Sequence, residues 1–191
     1  MKARCLIRII ILNKNCEFIY HIGDGKTVNK KNIRYLIMDV DGTLTDGMIY
    51  MGENGEVMKA FSIKDGCGIS NILIPNDILP VIITGRKSNI LLNRCKELGI
   101  KEIYQNVKNK DEKLKEIIND YSQIAYIGDD INDLSCMKLI KEAGGIIGCP
   151  QDAVGAVKKI ADFVSLNRGG KGAVREFIEW LVYDKGNSID L

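Results

Sequence analysis

The apolar stretch that ends in two carboxylates and a glycine, residues 35–45 (YLIMDVDGTLT), constrains the fold of this chain most. The run YLIM predicts a strand buried on both faces, and Asp39 and Asp41 follow at its C-terminal end. Open parallel sheets bind ligands at that end of their strands. Two carboxylates that face one cleft repel each other unless a cation neutralises them, so this pair favours a Mg²⁺ site. A buried strand followed by an Asp-Gly turn explains the stretch alone equally well.

Length and charge limit the classes of function. The chain has 191 residues, of which 46% are hydrophobic, and this predicts one domain with a sizeable core. Its 27 basic and 25 acidic residues are spread along the chain and give a net charge of +2. Neither nucleic acid nor a membrane surface is therefore an expected partner, and a small anionic ligand fits better.

The cysteine and histidine content excludes several kinds of site. The six cysteines form no Cys-x-x-Cys pair, which favours reduced thiols in a cytoplasmic protein over a zinc or disulfide framework. His21 is the only histidine and lies outside every motif described below. This argues against Ser-His-Asp, Cys-His and multi-histidine metal chemistry, and leaves carboxylates, lysine and the backbone.

The amino-terminal part of the chain lacks the motifs and the regular pattern of strands and helices predicted for the rest. Residues 5–12 are apolar but broken by Arg8, too short to cross a bilayer, and followed by no small-residue cleavage site. We expect residues 1–32 to be an extension or linker, or the remnant of an upstream domain, and residues 33–191 to form the main domain.

Strands and helices are predicted to alternate along residues 33–191. Residues 47–51 and 56–61 resemble two short strands joined at an Asn-Gly turn, a hairpin that would overhang Asp39. Further apolar runs predict strands at Leu79–Ile83, Glu102–Tyr104, Ile124–Ile127, 145–148 and 162–164. Periodic apolar residues predict helices at 63–74, 88–98 capped by Gly99, after Asn109 as far as Tyr121, from Leu134 to Ile140, and from Val174 to Val182. The predicted fold is α/β, a doubly wound and mainly parallel sheet.

Polar residues follow the apolar strands or begin a helix in a fixed order. The order is Asp39 and Asp41, then Thr84, then Lys110, then Asp129, Asp130 and Asp133. This order resembles the four motifs of the haloacid dehalogenase superfamily, over roughly residues 33 to 183. Each motif alone is weak evidence, since a Thr-Gly turn or a solvated lysine explains it, but the ordered set is specific.

The resemblance implies roles for the acidic residues. Asp39 would be the nucleophile that forms an aspartyl-phosphate, and Asp41 would protonate the leaving alcohol and then deprotonate water. Mg²⁺ would be bound by Asp39, by the backbone carbonyl of Asp41 and by Asp129. Asp130 and Asp133 would support them nearby.

The remaining motif residues would hold the phosphate and the substrate. Thr84 and Lys110 would contact phosphoryl oxygens while charge redistributes in the transition state. The wider set of expected substrate contacts is Thr84, Gly85, Arg86, Lys110 and Lys64.

Two other classes of protein use similar residues. Phospho-receiver domains, which are signalling switches, share aspartate, threonine and lysine, but in them the lysine comes last, whereas here a carboxylate cluster follows Lys110. ATPase pumps of the superfamily resemble this pattern with threonine two residues after the nucleophile, where this chain has Asp41. An aspartate there can activate water, so hydrolysis is the expected reaction.

Short connections place the chain in the capless group of the superfamily. Neither the segment from Asp41 to Thr84 nor that from Lys110 to Asp129 has room for a separate cap domain, so we expect only a hairpin flap. The chain is most similar to 3-deoxy-D-manno-octulosonate (KDO) 8-phosphate phosphatases and to sialic-acid-type 9-phosphate phosphatases. The stretches that carry the similarity are DVDGTLTDG (39–47), KAF (59–61), KDG (64–66), ITGRK (83–87), GDD (128–130) and GGKGAVRE (169–176). Relatives usually have Gln-Gly where this chain has Gln105-Asn106.

Arg86 favours one of the two substrate classes. Directly after Thr84-Gly85, its guanidinium would lie beside the phosphate and could bind a carboxylate of a sugar acid. Octulosonate-phosphate phosphatases typically have Thr-Gly-Arg, and the nine-carbon enzymes tend to have glutamate at that position, so KDO 8-phosphate is favoured over a sialic-acid-type 9-phosphate. Arg86 could instead cap the edge of the sheet or pair with a neighbouring carboxylate such as Glu56 or Asp65.

The resemblance also implies a homotetramer in which a neighbour's hairpin completes the cleft. A non-catalytic module associated with a cytidylyltransferase stays open as an alternative.

Overall fold

A six-stranded parallel sheet forms the centre of the fold in the computed structural model, which describes residues 30–183 apart from the side chain of Lys31. In chain order the strands are β1 (Tyr35–Met38), β2 (Tyr50–Gly52), β3 (Gly55–Met58), β4 (Leu79–Ile83), β5 (Glu102–Tyr104), β6 (Ile124–Ile127), β7 (Ile146–Cys149) and β8 (Phe163–Val164). The sheet has the order β5-β4-β1-β6-β7-β8, and β2 and β3 form a separate antiparallel hairpin. The prediction of an α/β fold with a parallel sheet is confirmed.

Helices cover both faces of this sheet. They are α1 (Ile63–Gly68), α2 (Asn89–Leu98), α3 (Lys110–Ile117), α4 (Leu134–Glu142), α5 (Gly155–Lys158) and α6 (Ala173–Val182). One apolar cluster contains Leu36, Ile82 and Phe177, and the other contains Ile37, Tyr126 and Met137. Since Leu36 and Ile37 are neighbours in β1, the two clusters lie on opposite faces of the sheet. This double burial explains why the strands are unbroken apolar runs.

The ends of the helices follow local sequence signals in part. Ser88 caps α2, where its Oγ accepts a hydrogen bond from the backbone N–H of Leu91 at 3.3 Å, and Gly99 ends α2 in the left-handed conformation (φ 77°), as predicted. The predicted helix after Asn109 is shorter than expected: α3 ends at Ile117, and Tyr121 lies in a separate 3₁₀ turn. The Asn109 side chain makes no capping hydrogen bond.

Two segments differ from the predicted helices. The helix expected at 63–74 is regular only over α1, and continues as a π-helical turn (Ile69–Leu73) and a 3₁₀ turn (Ile74–Asn76). The single-turn helix α5 was not predicted, because four residues are too few to show an apolar period.

The connection between β1 and β4 contains the hairpin, α1 and the short turns that follow it. β2 and β3 are shorter than predicted, and Glu53 and Asn54 connect them. Within residues 30–183 no segment forms a separate cap domain, and the expected hairpin flap is present as β2 and β3. No helix in the same range combines the length and apolar character that a membrane span requires.

The predictions for residues 1–29 lie outside the described residues. Of the predicted extension, Lys30–Asn32 form a 3₁₀ turn, and the Lys30 ammonium donates a hydrogen bond to the backbone carbonyl of Trp180 at 2.7 Å. The start of the described chain is thereby attached to α6. The division at residue 32 stays a prediction.

Candidate active site

Polar residues follow three adjacent strands at one edge of the sheet. β1 pairs with β4 on one side and with β6 on the other, and Met38 is aligned with Ile82 and with Ile127. Asp39, Thr84 and Asp129 come after these three strands, so parallel pairing brings them to the same edge. Motifs that are far apart in the sequence therefore lie together in one cluster.

Lys110 joins two carboxylates at the centre of this cluster. Its Nζ lies 2.7 Å from Asp39 Oδ1 and 2.7 Å from Asp133 Oδ1, and all three side chains are buried. A cation in the first turn of a helix is unfavourably placed with respect to the helix dipole. The two carboxylates compensate for that position and for the loss of water around the ammonium.

Asp133 accepts hydrogen bonds at both carboxylate oxygens. Oδ1 accepts from Lys110 and from the Tyr126 hydroxyl, each at 2.7 Å, and Oδ2 accepts from the backbone N–H groups of Asp129 at 3.1 Å and Asp130 at 3.3 Å. Asp133 therefore fixes the loop after β6. A Cβ at Gly128 would collide with Oδ2, which explains the glycine at that position.

Asp129 faces Asp39 across the site. The Thr43 hydroxyl donates a hydrogen bond to Asp129 Oδ1 at 3.0 Å, and a Cβ at Gly42 would collide with Oδ2. The loop after β1 thus orients Asp129 both by a hydrogen bond and by close approach of backbone that only glycine permits. Gly42 has a φ of 97°, which is a second reason for glycine there.

Burial and mutual repulsion shift the pKa values in the cluster. Burial, with the neighbouring Asp133 carboxylate, raises the pKa of Asp39 to about 6 against the opposing effect of Lys110. Burial, with the Asp39 carboxylate, raises the pKa of Asp129 to about 7. For Lys110, burial lowers the pKa, but Asp39 and Asp133 outweigh it and raise the pKa above its ordinary value.

The acidic cluster fits a divalent cation. Asp39, Asp129 and Asp133 each offer a carboxylate oxygen, and these oxygens lie within 4.8 Å of one another. Because the four hydrogen bonds at Asp133 occupy its lone pairs, Asp39 and Asp129 are the better ligands. Lys110 supplies one positive charge to a cluster of three carboxylates, and a divalent cation would compensate for the remaining negative charge.

The second carboxylate of the first motif, Asp41, contacts the hairpin instead. The Lys59 ammonium is hydrogen-bonded to Asp41 Oδ1 and lies 3.0 Å from Glu56 Oε1. Arg86 lies farther off, with Nε 3.7 Å from Asp41 Oδ2 and Nη2 3.9 Å from Glu56 Oε1. Glu56 also accepts a hydrogen bond from the Ser88 hydroxyl. The hairpin, as predicted, overhangs the end of β1.

A glycine-rich loop holds the segment after β1 from the other side. The backbone N–H of Gly170 donates to the carbonyl of Thr43 at 2.9 Å, and a Cβ at Gly169 would collide with the carbonyl of Gly42. The buried Asp65 carboxylate accepts from the backbone N–H groups of Gly172 at 3.2 Å and Arg175 at 2.8 Å. The loop therefore packs against the site through its backbone.

The other predicted site residues lie around this centre. The Thr84 hydroxyl is buried and accepts from the backbone N–H of Arg86 at 3.5 Å. Gly85 is exposed, and Asp130 caps the 3₁₀ turn Ile131–Asp133. The Lys64 side chain is exposed and lies beside Gly172, so its contact with substrate stays a prediction.

Sequence reasoning assigned no role to several residues that make side-chain contacts in the site, namely Lys59, Ser88, Thr43 and Tyr126. Glu56 was considered only as a possible partner of Arg86, whereas its nearer contacts are with Lys59 and Ser88. The Lys59-Ala60-Phe61 stretch was a signal for the resemblance, but a lysine after a strand does not by itself predict burial. The change from Gln-Gly to Gln105-Asn106 is accommodated, because Asn106 adopts a φ of 57° and asparagine tolerates that conformation.

Comparison with known proteins decides the family. The 3-deoxy-D-manno-octulosonate 8-phosphate phosphatase of Escherichia coli strain K12 is 41% identical over 160 residues, which cover 82% of each chain. The chain belongs to this phosphatase family. It is therefore an enzyme, a phosphatase of the haloacid dehalogenase superfamily, which argues against a non-catalytic module. No family model matches the chain.

Solved structures of this phosphatase family have the same fold. The cobalt-bound deoxy-D-mannose-octulosonate 8-phosphate phosphatase of Haemophilus influenzae is 38% identical, with a TM-score of 0.72 over 80% of this chain and 88% of that chain. The Moraxella catarrhalis 3-deoxy-D-manno-octulosonate 8-phosphate phosphatase, in complex with magnesium, phosphate and KDO, is 36% identical, with a TM-score of 0.72 over 80% and 87%. A divalent metal ion in this phosphatase is supported by both structures and by the acidic cluster.

The raised pKa values predict how pH affects the stability of the metal-free phosphatase. Because Asp39 and Asp129 bind protons more tightly in the folded state than when unfolded, the free energy of unfolding should fall as pH rises from about 4 through about 7. Mg²⁺ should therefore raise the melting temperature more at pH 8 than at pH 5. Calorimetry with chelator and with Mg²⁺ measures this, at roughly 2–4 °C per kcal/mol for a chain of this size.

Asp129→Asn provides the control for that experiment. The variant removes one of the two repelling charges, so we expect it to melt above the unsubstituted protein at pH 8 in chelator and to gain little from Mg²⁺. A response to Mg²⁺ that is equal at both pH values would contradict the assignment of these carboxylates to the metal site.

Proposed function

We propose that this phosphatase hydrolyses 3-deoxy-D-manno-octulosonate 8-phosphate to KDO and phosphate, with Mg²⁺, through an aspartyl-phosphate on Asp39. The observation that carries the proposal is the buried Asp39–Lys110–Asp133 cluster at the ends of β1 and β6, with Asp129 beside it. The names of the relatives support the substrate.

In the first step an oxygen of Asp39 attacks phosphorus, and the bond between phosphorus and the sugar oxygen breaks. Asp41 donates its proton to that oxygen, so KDO leaves as an alcohol. Lys110 is hydrogen-bonded to Asp39 Oδ1, which orients the carboxylate and leaves Oδ2 as the attacking atom.

In the second step Asp41, now a carboxylate, takes a proton from water as the water oxygen attacks phosphorus. The bond between Asp39 and phosphorus breaks, and phosphate and the original carboxylate are regenerated. Asp41 is suited to both proton transfers because it lies at the hairpin side of the site and is partly exposed, whereas Asp39 is buried. This exchange makes the reaction a hydrolysis and not a stable phosphorylation.

The bound metal would neutralise negative charge on the phosphoryl oxygens and on the two carboxylates. Asp39, Asp129 and the backbone carbonyl of Asp41 would hold it. Mg²⁺ is proposed because oxygen ligands suit it and because the Moraxella structure contains it. Thr84 and Lys110 would bind phosphoryl oxygens, which is the electrostatic positioning that phosphoryl transfer requires.

Arg86 supports a sugar-acid substrate over a simple phosphate ester. Its contacts with Asp41 and Glu56 are 3.7 and 3.9 Å, longer than good hydrogen bonds, and its side chain is 42% exposed. The guanidinium therefore keeps donors for the carboxylate of the substrate. Pairing with Asp65, the alternative from sequence, does not describe the structure, where the backbone N–H groups of Gly172 and Arg175 donate to the Asp65 carboxylate. The same arginine favours KDO 8-phosphate over a nine-carbon 9-phosphate.

Residues 33–191 would form the whole catalytic domain, with residues 1–32 as an extension. The free thiols of Cys67, Cys95, Cys136 and Cys149 support a reducing compartment such as the cytoplasm.

Asp39→Asn should lower kcat at least about 10³-fold, because the amide is a poor nucleophile. Phosphate release from KDO 8-phosphate measures the loss, and circular dichroism checks that the fold is intact. Asp111→Asn is the matched control, since Asp111 forms an exposed ion pair with Lys115 and should leave kcat unchanged. Full activity of Asp39→Asn, or of the unsubstituted enzyme in excess chelator, would reject the mechanism.

Arg86→Ala should lower kcat/KM for KDO 8-phosphate about 10²-fold, because a carboxylate loses a charged hydrogen-bond partner. For p-nitrophenyl phosphate, which has no carboxylate, the loss should be small. Lys87→Ala removes a neighbouring exposed charge and serves as the control. An equal loss on both substrates would mean that Arg86 acts through Asp41 or the fold and does not recognise the sugar acid.

We also propose a homotetramer in which a neighbour's hairpin completes the cleft. Exposed apolar side chains on the hairpin support this, namely Met51 (61%), Val57 (61%) and Met58 (52%). The Lys59 side chain contacts its own site, whereas these three side chains are exposed and available to a neighbour. Sedimentation equilibrium should give four times the chain mass of 21.3 kDa. A fully active monomer would reject this assembly.

A further inference from the structure

Lys59 is the buried cation of the site that the proposed mechanism does not use. Its side chain is 2% exposed, although it directly follows the exposed end of the hairpin, Val57 and Met58. Burying an ammonium is costly unless anions replace its water, and here Asp41 and Glu56 do so. A position this costly on an otherwise exposed segment indicates a role in the site.

Two cations face Asp41 from the elements around it, and they differ in strength. Lys59 is buried and hydrogen-bonded to Asp41 Oδ1, whereas Arg86 is half-exposed and lies 3.7 Å from Oδ2. Screening by water weakens the Arg86 contact and leaves the Lys59 contact strong. Lys59 therefore determines the orientation of the Asp41 carboxylate.

Lys59 is itself held in place through Glu56. The Glu56 carboxylate binds Lys59 and accepts a hydrogen bond from the Ser88 hydroxyl at the start of α2. The backbone N–H of Ser88 donates to Gln105 Oε1 at 2.6 Å, which connects the start of α2 to the loop after β5. These contacts hold Lys59 in place, and Lys59 in turn holds the Asp41 carboxylate.

We propose that Lys59 is a positioning residue that aims Asp41 at the leaving-group oxygen. The inference rests on the proposed role of Asp41 as the proton donor. With Oδ1 bound to Lys59, Oδ2 carries the proton, which moves to the sugar oxygen as the bond to phosphorus breaks. Asp41 then returns to the carboxylate form beside Lys59, ready to take a proton from water.

This role predicts a dependence on the leaving group. The ester oxygen of an alkyl phosphate needs a proton to leave as an alcohol, whereas p-nitrophenolate leaves without a proton. A variant in which Asp41 is no longer correctly oriented should therefore hydrolyse alkyl phosphates more slowly, with little effect on p-nitrophenyl phosphate. A structural role, a lost metal or a damaged phosphate site would impair all phosphates alike.

The test compares kcat/KM of Lys59→Met on glycerol 3-phosphate, phenyl phosphate and p-nitrophenyl phosphate, because kcat/KM reports the steps up to release of the alcohol or phenol. We expect a loss of about 10²-fold on glycerol 3-phosphate, a smaller loss on phenyl phosphate and less than about threefold on p-nitrophenyl phosphate. Lys59→Arg, which keeps a cation, should recover most of the loss. Lys115→Met removes an exposed lysine of an ion pair and should change nothing.

Equal losses of Lys59→Met on all three substrates, or no loss, would overturn the proposal. If this variant does not fold, Lys59→Gln is measured in its place, with the same selective loss expected and the same outcomes against it. In an Asp41→Asn background, Lys59→Met should add no further leaving-group dependence, and an added dependence would show that Lys59 does not act through Asp41.

Asp41→Asn alone separates this inference from the proposed function. If Asp41→Asn shows the selective loss and Lys59→Met does not, the role of Lys59 fails and the mechanism stands. If Asp41→Asn lacks the selective loss, Asp41 is not the proton donor, and both the mechanism and the role of Lys59 are rejected.

Discussion

The buried lysine between two carboxylates, Lys110 between Asp39 and Asp133, is the interaction on which the site depends. Removing one member would leave a buried charge without its partner, which typically costs about 3–5 kcal/mol. Each member also comes from a different part of the chain: the end of β1, the start of α3 and the loop after β6. The ion cluster therefore fixes the relative positions of three segments as well as their charges.

The aspartates of the site are chemically identical but lie in different environments. Asp133 is fully buried and saturated with hydrogen bonds, which suits a structural anion. Asp39 and Asp129 are held close together with raised pKa values, which suits cation binding. Asp41 lies apart from them, beside Lys59. One residue type thus serves three purposes, and packing decides which.

Much of the fold was predictable because its strands are buried on both faces. Such strands are apolar throughout, and a polar residue at the end of the run marks the edge of the sheet, as at Asp39 and Thr84. Once parallel pairing of these strands was assumed, the clustering of Asp39, Thr84 and Asp129 at the carboxyl ends of the strands could be predicted. The burial of Lys59 and the contact of Tyr126 with Asp133 were not predictable, because they depend on how side chains meet in the folded protein. The early end of α3 was not predictable, because apolar residues continue the helical spacing past Ile117 to Ile118 and Tyr121. The hairpin was found through its turn residues, but its register depends on contacts that an alternating pattern does not specify.

The glycine-rich loop that packs on the segment after β1 has a consequence for synthesis of the protein. Residues 169–172 supply backbone contacts to residues 42–46, so two segments far apart in the sequence share one surface. On the ribosome, this loop emerges more than a hundred residues after the strand that precedes Asp39. The acidic cluster, whose last member is Asp133, can therefore form before the loop that packs on residues 42–46 has been synthesised.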